Sequence, residues 1–580
     1  MQITGAELFV KALLAEQVDT LFAYPGGQAI DLFNALYGVE GINVILPRHE
    51  QGLVHAADGY ARSTGKVGVC LVTSGPGATN LVTGIATANY DSVPLVCFTG
   101  QVPTHLIGND AFQEVDIVGI TRSICKYAIT VRKREDLAAT IKKAFFIASS
   151  GKPGVVVVDL PKDIQQALGS DYYPEQIEVR GYKPNTNVHI GQIKKSLDCL
   201  KNAKRPIFLL GGGVNIAHAN QEMTLLAERT GIPVITTIMG KGAIPTNHPL
   251  YVGNLGIHGS YAANTAISEC DVLFSIGVRF NDRITGKVSE FARNATIIHV
   301  DIDPSSISRN IVVDIPIVAD AKNAIIALLE KAQQYDFENW QKQINCWKSE
   351  HPISTLQDTK SRITPLNIIQ EINRVFEKAV ITTDVGQNQL WTTQFLELTN
   401  QKQMLTSGGL GTMGYGFPAA LGAKLGNPDT DVITICGDGG IQMNIQEMAT
   451  AIVYELPVII CIFNNGYLGN VRQWQEMFFD KRYSSTCLRY RKSCSTTCNT
   501  PSACCPEYTP DFIRLAESYG AKAIRVQRYD EIKIALEEAK NTSKIPTVIE
   551  FIIEPEENVL PIVPPGNPLG DMILGGDDND

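Results

Sequence analysis

The sequence predicts an α/β protein built from three doubly wound parallel-sheet domains. Two observations carry this. The 580 residues fall into three blocks, 1–165, 190–335 and 366–555, each alternating short β-branched runs with helically spaced apolar residues. One stretch, Asp431–Asn465, is a complete strand–helix–strand unit, and such crossovers join parallel strands right-handedly.

In the first block, strand patterns occur at Asn43–Leu46, Val67–Thr73, Pro94–Phe98 and Gly154–Asp159. The opening MQITGAELFVKALLAEQVDTLF reads as an amphipathic helix. It lacks the basic start and cleavage site of a signal peptide, and the Ser/Arg bias of a transit peptide. The chain is therefore expected to stay in the compartment where it is made. Polar, Pro-containing residues near 166–190 read as a linker. The second block has strand patterns at Pro206–Leu210, Pro233–Thr237, Asp271–Ile276 and Thr296–Asp301. Residues 336–365 are polar, helix-prone and Trp-containing, and read as a connector. In the third block, strand runs Val432–Cys436 and Val458–Phe463 flank helical spacing at Ile445, Met448, Ala449, Ile452 and Val453. The first and third blocks read as one architecture used twice. The tail, 556–580, is rich in Pro and Gly, which forbids long regular structure, yet its apolar residues need a surface to cover.

Hydrophobic content of 44% and charged content of 19% are those of an ordinary globular protein. A net charge of −10 argues against a nucleic-acid partner. No apolar run approaches the ~20 residues that span a bilayer, so no membrane partner is expected. Of the 13 cysteines, Cys70, Cys97, Cys436 and Cys461 lie in strand-like apolar runs, a pattern that fits a reducing compartment.

Asp438 and Asn465 each follow a strand of the Asp431–Asn465 unit. Open α/β sheets bind ligands just past such strand ends. One carboxylate and one amide oxygen suit Mg²⁺ held mainly by the phosphates of a ligand. Gly437 and Gly439 let the backbone approach a diphosphate closely. Taken alone, Asp438 is also compatible with an Asx turn. Glu50 opens a helix after Asn43–Leu46, and from position alone it reads as a complement to the helix N-terminus.

PRHEQ, SGPGATN, AFQE, GTMGYG, and GDG followed by the paired Asn464-Asn465 together resemble thiamine-diphosphate-dependent enzymes. GVRFNDRITGK and VRQWQ narrow the resemblance to the acetohydroxyacid synthase (acetolactate synthase) catalytic subunits, over about Met1–Ile573. The resemblance implies thiamine diphosphate, Mg²⁺ and FAD as cofactors. It implies a homodimer or homotetramer with each active site between two subunits, and a small regulatory subunit. Glu50 would hold the aminopyrimidine ring nitrogen in a dry pocket. The Gly411 carbonyl would face the exocyclic amine, with Met413 as the apolar wedge beneath the bent cofactor. Asp438, Asn465 and the Tyr467 carbonyl would hold the metal. Gln113 would face the reacting 2-keto acid, with Phe112 lining the pocket. Trp474 would size the acceptor, and Arg283 would bind its carboxylate. Lys162 would stand at the mouth of the access channel. The middle block would hold FAD through Lys152, His258, Gly259, Arg279, Asp301 and Asp320. Its GGGVNIAHA does not satisfy GxGxxG, and Lys152 stands where relatives have Arg. The implied reaction decarboxylates pyruvate and joins the two-carbon remainder to a second 2-keto acid, giving 2-acetolactate or 2-aceto-2-hydroxybutyrate on the way to valine, leucine and isoleucine.

The chain departs from the family pattern at two places that matter. Asn470 stands where Met is usual, near the acceptor pocket. The segment Cys487–Tyr508 is about twice the usual length, basic, and carries Cys487, Cys494, Cys498, Cys504 and Cys505. Its cysteine spacing is poor for zinc, so it is expected to be a solvated loop. The rival readings are an FAD-dependent pyruvate oxidase, a 2-keto acid decarboxylase and a non-catalytic subunit with the same fold. Arg283 and Trp474 speak against the first two, and intact Glu50, Asp438 and Asn465 against the third. The general character of the sequence suggests a plastid-encoded stromal protein, or otherwise a bacterial cytoplasmic one.

Overall fold

The computed structural model describes residues 2–353, 362–399, 402–502 and 504–575. They form three six-stranded parallel sheets, one per block, and one two-stranded antiparallel ribbon. The first sheet runs, in space, Asn43–Ile45, Thr20–Ala23, Gly68–Val72, Leu95–Gln101, Val155–Pro161 and Tyr127–Thr130. The third runs Lys402–Leu405, Ala379–Thr383, Asp431–Gly437, Ile459–Asn464, Thr547–Ile552 and Lys522–Val526. With the strands of each sheet numbered in chain order, both orders are 2-1-3-4-6-5. The first and third blocks are thus one topology used twice. The central sheet runs Tyr251–Asn254, Val234–Thr236, Pro206–Leu210, Val272–Ile276, Thr296–Asp301 and Ile315–Val318, the order 3-2-1-4-5-6 of dinucleotide-binding sheets. Each central strand is a buried β-branched or aromatic run, such as Val155–Val158 or Ile207–Leu210, as sheets covered on both faces require.

The opening segment is not one helix. Gln2–Thr4 is a strand paired antiparallel with Leu168–Ser170, and the helix covers only Gly5–Ala15. Thr4 and Glu7 form a reciprocal capping box that fixes the helix start. The apolar run beyond it, Thr20–Ala23, is an inner strand. Residues 171–189 hold no helix or strand. In the connector, Glu338–Glu350 is helical, and residues 354–361 lie outside the described residues. The tail runs from the third block, whose core takes Val559, onto the central block, whose core takes Val563 and Leu569, and the Val563 amide donates to the Ile257 carbonyl at 2.8 Å. Its last five positions lie outside the described residues. Among those described, no helix is long and apolar enough to cross a membrane.

The outer blocks meet through equivalent helices. Glu50–Thr64 follows the second strand of the first sheet, and Gly416–Gly426 follows the second strand of the third. The two pack backbone to backbone. A Cβ on Gly59 would lie 2.0 Å from the Ala419 carbonyl oxygen, and one on Gly422 would lie 1.7 Å from that of Ala56. Only glycine permits this approach.

Candidate active site

Strand Asp431–Gly437 delivers Asp438 into a short helical turn, with its side chain buried. The Gly466 amide donates to Asp438 Oδ2 at 2.9 Å. Burial pushes the carboxyl up to about 7, against the backbone hydrogen bonds from Gly466 and Gly439 that favour its charged form. Strand Ile459–Asn464 delivers Asn465, whose Oδ1 accepts from the Tyr467 amide at 3.0 Å and whose Nδ2 donates to Gln387 Oε1 at 3.2 Å. Asp438, Asn465 and Tyr467 share one cleft with Met413, Gly437 and Gly439. Two buried amide oxygens in that cleft, Asn388 Oδ1 and Asn470 Oδ1, have no partner. A buried carboxyl and two unpartnered amide oxygens, all acceptors, fit a bound cation. No group of three His, Cys, Asp or Glu able to hold a metal exists among the described residues. A cation here must therefore draw on amide, carbonyl and phosphate oxygens.

Asp384 positions the glycine-rich loop that carries Gly411 and Met413. Its Oδ1 and Oδ2 accept from the Gly414 amide at 3.0 and 3.1 Å, and burial raises its carboxyl to about 6. Gly411 is exposed with φ +73°, and a Cβ on Gly439 would stand 3.7 Å from Met413 Cε. Met413 thus overhangs the Asp438 turn.

Glu50 is the first residue of its helix, and His49 caps it by accepting from the Gln51 amide. Glu447 accepts from the Arg48 and His49 amides, so two orphan donors are satisfied across the interface between the outer blocks. Glu50 itself is turned elsewhere: its Oε2 accepts from Asn80 Nδ2 at 3.0 Å. Gly75 and Gln113, both at positive φ, lie back to back; a Cβ on Gly75 would stand 2.9 Å from the Gln113 carbonyl oxygen. The motifs PRHEQ, SGPGATN and AFQE therefore meet at one edge of the first sheet. Phe112 beside them is 85% exposed. Lys162 follows strand Val155–Pro161 and donates to the Gly27 carbonyl at 3.0 Å. The cleft around Asp438 is lined only by residues between Val385 and Val471. Within one chain, Glu50 and Gln113 do not enter it.

Arg283 and Trp474 come together across two domains, with the guanidinium 5.9 Å from the indole centroid. Trp474 lies on helix Gly469–Phe478, whose first residues line the Asp438 cleft, and its buried Nε1 has no partner. A second cleft opens at the switch point of the central sheet, past the ends of the paired strands Pro206–Leu210 and Val272–Ile276, where the strand order reverses. Lys152, Gly212, Gly213, Arg279, Asp301 and Asp320 line it. Lys152, Arg279, the part-exposed backbone of Gly212 and Gly213, and the Asp301 and Asp320 carboxylates fit a dinucleotide, the cations toward phosphate and these acids toward ribose hydroxyls. Lys152 is 3.1 Å from Asp303, and burial lifts the Asp301 carboxyl to about 6. His258 and Gly259 lie outside this cleft. The His258 ring, kept neutral by burial with its pKa lowered to about 4, faces the Pro561 carbonyl at 3.2 Å.

Three family models of thiamine pyrophosphate enzymes match the chain. The N-terminal TPP binding domain covers residues 3–120, the central domain 193–328 and the C-terminal TPP binding domain 384–551. The chain is 47% identical to the probable acetolactate synthase large subunit of Methanococcus aeolicus, over 98% of this chain and 95% of the relative. It is 43% identical to the acetolactate synthase isozyme 3 large subunit of Escherichia coli, over 99% and 98%. It is 43% identical to the acetolactate synthase large subunit of Cyanidium caldarium, over 98% and 96%. The chain belongs to the acetolactate synthase large subunits of the thiamine-diphosphate enzyme family.

Within this family membership, the long cysteine-bearing segment has a defined base. Leu488 donates to the Gly466 carbonyl at 2.9 Å, and Thr486 accepts from the Leu468 amide at 2.9 Å. Arg489 packs over Gly466, where a Cβ would lie 2.6 Å from its Cδ, and Nε of Arg489 donates to the Pro506 carbonyl at 2.8 Å. The segment is thus clamped onto the Asn465 loop at its base, and Cys498 and Cys504 are exposed further out. All five of its cysteines are free thiols, and Ala503 lies outside the described residues.

Sequence reasoning missed Asp384, Gln387, Asn388 and Glu447. A signal existed for the first three: TTDVGQN follows a β-branched run just as GDGG does. None existed for Glu447, whose partners lie 398 and 399 positions away.

Proposed function

We propose that the chain is the catalytic subunit of an acetolactate synthase, decarboxylating pyruvate and joining the remainder to pyruvate or 2-oxobutyrate. The observation that carries this reading is Arg283 over Trp474 beside the Asp438–Asn465 cleft. A guanidinium against an aromatic wall is suited to an alkyl 2-keto acid, since its carboxylate takes bidentate hydrogen bonds while its chain packs on the ring. An oxidase or a simple decarboxylase has no need of this second substrate site.

Asp438, Asn465 and the Tyr467 carbonyl would hold Mg²⁺, and the glycines at 437 and 439 would face a diphosphate. Bound thiamine diphosphate supplies a carbon nucleophile and an electron sink. Glu50 would hold a proton at the pyrimidine ring nitrogen, and the Gly411 carbonyl would orient the exocyclic amine. Met413 would exclude water beneath the ring. Gln113 would orient the bound keto acid, Phe112 would cover it and Lys162 would attract it to the entrance. Lys152, Arg279, Asp301 and Asp320 would hold FAD, with His258 and Gly259 supporting the wall behind through the tail.

Because Glu50 and Gln113 stay outside the Asp438 cleft of their own chain, the site we propose is completed by a second copy. The exposed apolar residues Phe112, Leu410, Met443 and Val471 support this, since they are available for burial there. A homodimer or homotetramer follows, and the words "large subunit" in the relatives' names support a small regulatory partner. The compartment we propose is the plastid stroma, on the likeness to the Cyanidium caldarium subunit. A bacterial cytoplasm is the second reading, carried by relatives such as that of Escherichia coli.

The test is a pyruvate assay with each cofactor omitted in turn. Acetolactate formed only with Mg²⁺ and thiamine diphosphate is expected. Acetaldehyde or acetate as the main product would overturn the carboligase reading.

A further inference from the structure

The loop Thr406–Tyr415, which bears Gly411 and Met413, is not held by its own domain alone. Its start is fastened to Asp91 of the first block. The Gly409 amide donates to Asp91 Oδ1 at 2.8 Å, and the Gly408 amide to Asp91 Oδ2 at 3.1 Å. Arg62 adds an ion pair to Oδ2 at 3.0 Å and donates to the Thr406 carbonyl at 2.9 Å. Arg62 is in turn paired with Asp58 at 2.7 Å, and Asp58 accepts from the Tyr415 hydroxyl at the loop's far end. The Thr412 and Thr87 hydroxyls bond at 2.7 Å. The Asp91 side chain is fully buried in this network.

Asp91 is also a wall of the central cleft. Tyr90, Asp91 and Ser92 line it together with Lys152, Gly212 and Arg279. Arg279 donates to the Tyr90 carbonyl, and its Nη2 stands 4.0 Å from Asp91 Oδ1. There is no slack: a Cβ on Gly409 would lie 2.6 Å from Asp91 Oδ1 and 3.1 Å from Arg279 Nη2. One carboxylate therefore touches both the loop of the thiamine site and a cation of the dinucleotide cleft.

We propose that Asp91 is a positioning residue that couples the two cofactor sites, so that filling the central cleft with an anionic dinucleotide tightens the Thr406–Tyr415 loop and raises affinity for thiamine diphosphate. This rests on the reading of the central cleft as the FAD site. Phosphates in the cleft draw Arg279 to themselves. Both Asp91 oxygens are already held by the two glycine amides and Arg62, and drawing the Arg279 charge away from its 4.0 Å approach leaves the carboxylate's attraction to those donors, which strengthens their charge-assisted hydrogen bonds. Linkage makes the effect reciprocal, so bound thiamine diphosphate tightens FAD by the same factor.

The experiment uses the full-length apoprotein with FAD as the first ligand. FAD binding is read by flavin fluorescence. Thiamine diphosphate affinity with Mg²⁺ is read by tryptophan quenching, with and without FAD. Hydrogen exchange of the 406–415 amides is read with FAD alone. A fall in the thiamine diphosphate Kd of about fivefold or more is expected, with slower exchange at Gly408 and Gly409. In Asp91→Asn, FAD should still bind while the fivefold effect shrinks below about twofold. If FAD binds the wild-type chain but leaves both the Kd and the exchange unchanged, the coupling is wrong and the flavin site stands. If FAD does not bind at all, the flavin reading falls and the coupling with it. The wild-type comparison decides even if Asp91→Asn fails to fold.

Discussion

Glu50, Asp438 and Asn465 show what a single residue discloses. The last two were legible because strand, Gly-Asp-Gly and paired asparagines are local patterns, read within one crossover. The role proposed for Glu50 rests on family likeness alone, since any acid opening a helix satisfies the same electrostatics. Glu50→Gln should still bind thiamine diphosphate yet lower kcat by about 100-fold or more, measured by quenching and by acetolactate formation. A separate residue-scale outcome concerns His55. Its ring is buried against Tyr415, neither nitrogen has a partner, and burial lowers its pKa to about 3. A folded-state pKa below the unfolded one means that only the unfolded chain takes up this proton on acidification. Stability is therefore lost as the pH falls through the unfolded value. Relative to His55→Phe, the wild type should lose about 1.4 kcal/mol between about pH 7.5 and about pH 5.5, read from urea midpoints at each pH.

At the scale of elements, the central sheet shows which strands the sequence disclosed: its inner ones were read and its two edge ones were not. Pro206–Leu210 and Thr296–Asp301 were bounded correctly because strands buried on both faces are unbroken apolar runs. Ile315–Val318 was missed because Pro316 interrupts it, which an edge strand tolerates. Tyr251–Asn254 was missed because it carries Gly253 and a register shift. The Glu50–Thr64 and Gly416–Gly426 helices were each foreseeable, but their contact was not, because opposed glycines have no signature in a single chain. Gly422→Val should destabilise the protein by about 3 kcal/mol or more, or abolish folding, since a side chain there meets backbone rather than a movable group; urea unfolding of the variant checks this. The cysteine-bearing segment is anchored through Thr486, Leu488 and Arg489. Replacing Cys487, Cys494, Cys498, Cys504 and Cys505 together by Ser should leave turnover within about twofold of wild type. A large loss accompanied by metal release would show that the thiols hold a site.

The whole molecule is two copies of one sheet order flanking a third, different sheet. That division was legible from strand and helix alternation, and the likeness of the outer blocks was foreseen from pattern alone. What no single chain displays is the proposed meeting of Glu50 with the Asp438 cleft, because the two lie apart within one chain. This duplication of topology has a functional consequence in the proposed assembly: each chain offers half of two sites. The most direct measurement is complementation between Glu50→Gln and Asp438→Ala, each nearly inactive alone. Random assembly of the two makes half the dimers mixed, each with one intact site, so co-expression should restore about one quarter of wild-type acetolactate formation. Activity no greater than the sum of the two variants would contradict a site shared between chains.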